Sequence, residues 1–185
     1  MPHGNILDGS KTALVVVDVQ EAFRHAIGDF ALAASNVSRA VRAFSVLGIP
    51  VLVTEQYPKG LGHTAEEVAL AFPGDVRVFE KTAFSALGSA ELIESLETGG
   101  FRQIVLCGFE THVCVNQTAH DLIDGGYQVH LLTDCVASRF EHDKLAGVEK
   151  MLRDGVVPSS VEMALFEIMR DSKHPSFKEI QSLIK

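Results

Sequence analysis

The sequence predicts an α/β fold built on a doubly wound, mostly parallel, six-stranded sheet with helices on both faces. Three observations predict it. Short apolar runs rich in Val and Leu recur along the chain, each long enough for a strand and too short for a helix. Between them lie stretches whose apolar residues repeat at three and four, the spacing of one helix face. Glycine or proline then closes many of those stretches. Strand and helix alternate, so the connections are crossovers, and crossovers join parallel strands.

The strand runs are Ala13 to Val17, Val51 to Thr54, Val76 to Phe79, Ile104 to Cys107 and Val129 to Thr133, with a weaker sixth at Val156 to Val157. Phe30, Ala33, Val37, Ala40, Val41, Phe44 and Leu47 line one face of a helix after the first strand, which Gly48 and Pro50 stop. Thr64 and Glu67 have capping-box spacing, so a short helix is expected to begin there. Ala90 to Glu97 forms another helix, closed by Gly99 and Gly100. Val113 to Ile123 follows the fourth strand and ends at Gly125 and Gly126, and Lys144 to Leu152 follows the fifth. Two helices near Ser160 to Arg170 and Ser176 to Ile184 finish the chain. No linker, repeat or low-complexity stretch interrupts it, so residues 1–185 read as one domain.

Composition narrows the function. The 185 residues are 46% hydrophobic, enough for one core, and 24 acidic residues against 16 basic ones give a net charge of −8. Scattered basic residues in an acidic chain argue against a nucleic-acid partner. The longest apolar stretch, Ala13 to Val17, is far too short to span a bilayer. Met1 to Asp8 has neither a basic start nor an apolar core, so no signal peptide is expected. Cys107, Cys114 and Cys135 cannot all pair, which suits a reducing cytoplasm better than a disulfide framework.

In a doubly wound sheet, ligands bind beyond the carboxyl ends of the strands. The first strand runs into Asp18, followed by Gln20, Phe23 and Arg24. Asp18 either offers a rigidly held carboxylate or starts a turn and caps the next helix. The third delivers Glu80 and Lys81 in the run FEKTAFSAL, where Lys81 taken alone reads as a solvated lysine. The fourth ends in CGFETHVCV, in which Gly108 permits a sharp turn and Cys114 falls near the first turn of the next helix. There the helix N-terminus is expected to lower the thiol pKa, although a lone cysteine in an apolar helix is often inert core. Strands one, three and four are expected side by side. A thiol nucleophile needs a base and a positive field, and Asp18 and Lys81 supply one each.

VVVDVQ, FEKTAFSA and CGFETHVCV resemble the three signature segments of the isochorismatase-like cysteine hydrolases, over nearly the whole chain. The resemblance implies a Rossmann-like fold with Asp18 as general base, Lys81 as the stabilising cation and Cys114 as nucleophile. It also implies a cis peptide from Phe109 to Glu110, with the N–H groups of Glu110 and Cys114 turned toward one oxyanion. TEQYPKGLGHT, from Thr54 to Thr64, is similar to the isochorismatase domain-containing subgroup and places Tyr57 and the loop to His63 over the pocket. Gln20, Phe23, Phe84 and His112 are the other expected pocket residues. The expected activity is hydrolysis of a small amide-type substrate through a thioester, in a homo-oligomer, dimer or tetramer. Alternatives are enol-ether hydrolysis of the isochorismate type, a binding module with a vestigial pocket, and a redox-sensing Cys114.

Glu55-Gln56-Tyr57 does not reproduce the Asp-x-His pair of the nicotinamidase branch, so no metal is expected, with Glu55 and His63 the only candidates nearby. A Cys114–His112 dyad is disfavoured because positions two apart seldom face each other. Asp18-Val19-Gln20 stands where a dinucleotide site needs glycines, and no cofactor is expected.

Overall fold

A computed structural model describes residues 3–185. Met1 and Pro2, the start of the stretch read for a leader, lie outside them. Six strands form one sheet: β1 (Thr12–Val17), β2 (Val51–Gln56), β3 (Arg77–Lys81), β4 (Gln103–Phe109), β5 (Gln128–Ala137) and β6 (Val157–Ser159). The order is β3-β2-β1-β4-β5-β6 and every pairing is parallel. The sequence-predicted strands all fall inside or overlap these. The expected neighbourhood of strands one, three and four does not hold, because β2 lies between β1 and β3. Sequence order reverses at β1, so the switch point lies between β1 and β4.

The helices are α1 (Phe30–Val46), α2 (Pro58–Leu61), α3 (Glu66–Ala69), α4 (Ala90–Thr98), α5 (Asn116–Asp124), α6 (Glu141–Arg153), α7 (Val161–Met169) and α8 (Phe177–Ile184). Alternation of side chains along each strand splits the apolar core into two layers. Leu14, Val16, Val53, Val105 and Leu132 pack against α1, α7 and α8. Ala13, Val15, Leu52, Ile104, Leu106 and Leu131 pack against α4, α5 and α6. With both faces covered, the strands read as unbroken apolar runs, which is what made them visible in the sequence. Among the described residues, no helix is long and apolar enough to cross a membrane.

The capping box at Thr64 and Glu67 does not form. The helix starts at Glu66 behind Ala65, with no side-chain cap. Thr64 instead gives its hydroxyl and its N–H to the buried carboxylate of Glu55, at 2.8 and 2.7 Å. Glu67 is claimed by Arg24. A capping box contributes about 1 kcal/mol, and the buried Glu55 carboxylate takes the same Thr64 atoms.

Two glycines set the geometry around the switch point. Gly108, at φ +123°, pairs with Val17, and a Cβ there would lie 2.0 Å from the Val17 carbonyl oxygen. Only glycine lets β4 approach β1 this closely. Gly147 of α6 lies against the turn that follows β4, where a Cβ would stand 2.9 Å from His112 Cα and 3.2 Å from the Thr111 carbonyl oxygen. Phe109, the last residue of β4, stacks obliquely on Phe30 of α1 with ring centroids 5.3 Å apart, which fixes the strand end against the helix layer.

Candidate active site

Asp18 is the first residue beyond β1. Its backbone is left-handed, at φ +50°, a region that L-residues other than Asn, Asp and Gly rarely enter. Its N–H donates to the Thr54 carbonyl at 3.2 Å, and its own carbonyl accepts from Gln20 N–H at 2.8 Å. The carboxylate is completely buried and engaged at both oxygens. Thr54 Oγ1 donates to Oδ1 at 2.7 Å and Lys81 Nζ donates to Oδ2 at 2.6 Å.

Lys81 closes β3, in register with Gln56 on the intervening β2. Its long side chain therefore crosses β2 to reach Asp18, and both side chains have 0% exposure. The reading of Lys81 as a solvated lysine does not hold. The ammonium also faces Gln56 Oε1 at 2.8 Å and the carbonyls of Phe84 and Ala83 at 2.9 and 3.2 Å. With four acceptors around three hydrogens, Lys81 has no donor to spare for a ligand.

Cys114 sits in a wide π-helical turn, Thr111–Val115, that precedes α5 and follows the cis peptide joining Phe109 to Glu110. Single π turns of this kind are frequent at functional sites. The thiol is buried, and its pKa is pushed up to about 12. Burial is the largest cause, followed by the Asp18 charge, and Asp18 adds to it as hydrogen-bond acceptor; Lys81 pulls the other way. The lowered pKa expected from the helix end is thus reversed, because loss of hydration and a facing carboxylate outweigh a helix terminus worth at most about 2 kcal/mol. At neutral pH Cys114 is therefore a thiol.

The remaining expected pocket residues take different places. Tyr57, half exposed with φ +39°, lines a cleft of about 390 Å³ that reaches Lys81, together with Pro58, Lys59, Glu80, Thr82 and Gly88. Phe84 is exposed beside it, its carbonyl held by Lys81. Phe23 packs against the apolar layer under α1. Gln20 is a correction: it is fully buried, with its carbonyl accepting from Gln56 N–H and its amide donating to the carbonyls of Gln56 and Gly62. It clasps the loop after β2 to the end of β1 and has no hydrogen left for a substrate. His112 bonds Ser138 Oγ through Nδ1 at 3.0 Å, with Nε2 3.8 Å from Asp143.

Glu110 is buried and takes the backbone N–H and guanidinium of Arg139, each at 3.0 Å, tying the cis turn to the end of β5. Glu55 and His63, weighed above as metal ligands, bond to each other at 2.9 Å, which raises the His63 pKa. Sequence reasoning missed Thr54 and Gln56, the partners of Asp18 and Lys81. The strand-end rule would have found both, had it been applied to the second strand as it was to the first, third and fourth.

The chain is 41% identical to isochorismatase domain-containing protein 1 of Salmo salar over 98% of its own length and 63% of that protein's. It therefore spans less than two thirds of that relative. It is 37% identical to isochorismatase domain-containing protein 2 of Homo sapiens, covering 98% of this chain and 86% of that one. Its fold superposes on the MAR1 ribonuclease of Caenorhabditis elegans with a TM-score of 0.93 and 35% identity, over 97% of this chain and 92% of the other. Residues 12–163 match the isochorismatase domain, a span that takes in both sides of the switch point, and on this evidence the chain belongs to the isochorismatase family.

Proposed function

We propose that this protein is a cysteine hydrolase that cleaves the C–N bond of a small carboxamide through a thioester on Cys114. One observation carries the reading. The buried Cys114 thiol lies within electrostatic reach of the buried Asp18 carboxyl, which is itself bonded by Lys81 Nζ at 2.6 Å and by Thr54 Oγ1 at 2.7 Å. A raised thiol pKa suits this role, since the proton leaves only as the bond to carbon forms and Asp18 is already in place to receive it.

In this mechanism Sγ attacks the carbonyl carbon while its proton passes to Asp18. Charge builds on the carbonyl oxygen, where the N–H groups of Glu110 and Cys114 are the donors. The tetrahedral intermediate collapses, the C–N bond breaks, and Asp18 returns the proton to the departing nitrogen. Water then attacks the thioester, again losing a proton to Asp18. The C–S bond breaks, the proton returns to sulfur, and a carboxylic acid leaves. Lys81 holds Asp18 Oδ2 in place through these steps.

The name of the Caenorhabditis elegans relative raises a ribonuclease reading, but a chain of net charge −8 makes a poor partner for a phosphate backbone. Enol-ether hydrolysis leaves the thiol without a task. The test is acyl transfer from p-nitrophenyl acetate, followed by peptide mass analysis, alongside ammonia release from a panel of neutral primary carboxamides. Acetylation at Cys114 that is lost in Asp18→Asn supports the reading, whereas a wild-type Cys114 that stays unacylated overturns it.

A further inference from the structure

The mechanism uses Asp18, Lys81 and Cys114, yet one further side chain touches the acid-base group directly and no role has been given to it. Thr54, at the carboxyl end of β2, is completely buried and holds Asp18 twice. Its carbonyl accepts the Asp18 N–H at 3.2 Å, and its hydroxyl donates to Asp18 Oδ1 at 2.7 Å. We propose that Thr54 is the positioning residue for the base, fixing the Asp18 carboxylate in its left-handed perch and keeping it a proton acceptor. This rests on the catalytic reading above and goes beyond it.

A hydroxyl has one hydrogen, and here it is spent on Asp18. Lys81 is a donor only and occupies the other oxygen. Each carboxylate oxygen is thereby engaged by one donor and retains one lone pair, so the thiol proton has a defined place to go. The backbone contact matters as much. A positive φ at a residue other than glycine costs of order 1 kcal/mol and persists only where the surroundings impose it. Thr54 supplies that imposition from the neighbouring strand, through a parallel register in which Val17 pairs with Thr54 itself. Of the two groups that hold the carboxylate, Lys81 provides the charge and Thr54 provides the direction.

The titratable groups facing Asp18 are Lys81 from β3 and Cys114 from the π-helical turn, with Glu110 acting on the thiol from the same turn. Removing the Thr54 hydroxyl deletes a hydrogen bond to the ionised form of Asp18 and leaves the other charges in place. The acid limb of the reaction then moves upward in pH.

The experiment is the pH profile of p-nitrophenyl acetate acylation at Cys114 in wild type, Thr54→Val, Thr54→Ser and Thr54→Ala, with thermal unfolding of each. Valine keeps the volume and loses the donor, and serine keeps the donor. The acid limb is expected to rise by about one pH unit in Thr54→Val and Thr54→Ala and to return to the wild-type position in Thr54→Ser, a loss that approaches about tenfold well below the limb. A limb that stays in place in both Thr54→Val and Thr54→Ala, or one that shifts equally in Thr54→Ser, overturns the proposal and leaves Thr54 a packing residue. These outcomes are read only where wild-type acylation depends on Asp18. If wild-type Cys114 is not acylated at all, the catalytic reading itself fails and the role of Thr54 falls with it.

Discussion

Cys107 and Cys114 lie on the same stretch of chain, one inside β4 and the other just past its carboxyl end, and both are buried. Desolvation raises the pKa of each. Cys107 sits in the apolar layer under α1, with its sulfur 3.8 Å from the Val15 carbonyl, and the Asp134 charge adds to the effect of burial. Cys114 lies within electrostatic reach of the Asp18 carboxyl, which raises its pKa further, and of Lys81, which is bonded to Asp18 and pulls the other way. If the proposed function holds, burial alone leaves Cys107 inert, and burial beside Asp18 lets Cys114 react. Both lie in an apolar layer, and what separates the two positions is the strand end, with Cys107 inside β4 and Cys114 in the turn beyond it.

The comparison can be broken most directly by deleting each thiol in turn. Cys114→Ala is expected to abolish acyl transfer while leaving the melting curve nearly unchanged, and Cys107→Ala to keep acyl transfer at the cost of about 1 kcal/mol of stability. Equal activities in the two variants would erase the distinction.

His130 sharpens the contrast, because it shows what burial does to a titratable group on its own. It is fully buried on β5 with both ring nitrogens unpartnered, and desolvation alone lowers its pKa to about 4. The unfolded chain binds this proton near pH 6.5 and the folded chain only near 4. Stability is therefore complete above pH 6.5, falls as the pH drops through that window, and levels off below about 4. The loss is about 3 kcal/mol, and chemical denaturation at several pH values should show it vanish in His130→Leu. Wild type and His130→Leu losing stability in parallel from pH 6.5 to 4 would contradict this.

The subtlest effect is one of sign. Because the Asp18 charge helps to raise the Cys114 pKa, Asp18→Asn should lower it. Iodoacetamide, which reports the thiolate, should then label Cys114 about tenfold faster between pH 7 and 9, while acyl transfer from p-nitrophenyl acetate slows. Both rates falling together would mean that Asp18 generates a standing thiolate instead of moving a proton during attack.

Much of this architecture is legible in the sequence, for reasons that also mark where legibility ends. Apolar runs such as Ala13 to Val17 are visible because both sheet faces are covered, and the predicted face from Phe30 to Leu47 is α1 to within a residue. Which strand neighbours which is not written in periodicity, so the interposition of β2 and the reach of Lys81 across it emerge only in three dimensions. Asp18, Lys81 and Cys114 could be picked out one by one, from strand ends and from resemblance. Gln20 was misplaced because a buried amide that clasps a loop and an amide that meets a ligand have the same local sequence. The pKa of Cys114 was misjudged in direction for a related reason: helix-end effects are local and readable, whereas desolvation depends on everything packed above the turn.

The contact at Gly147 has a mechanical consequence. Helix α6 bears on the backbone of the turn that carries Cys114 with no side chain between them. Side chains are the compressible part of a protein interface, able to change rotamer and absorb a small displacement. Here that cushion is missing, so the helix acts as a stiff backstop. A shift of α6 by a few tenths of an ångström is delivered undamped to the turn that carries Cys114.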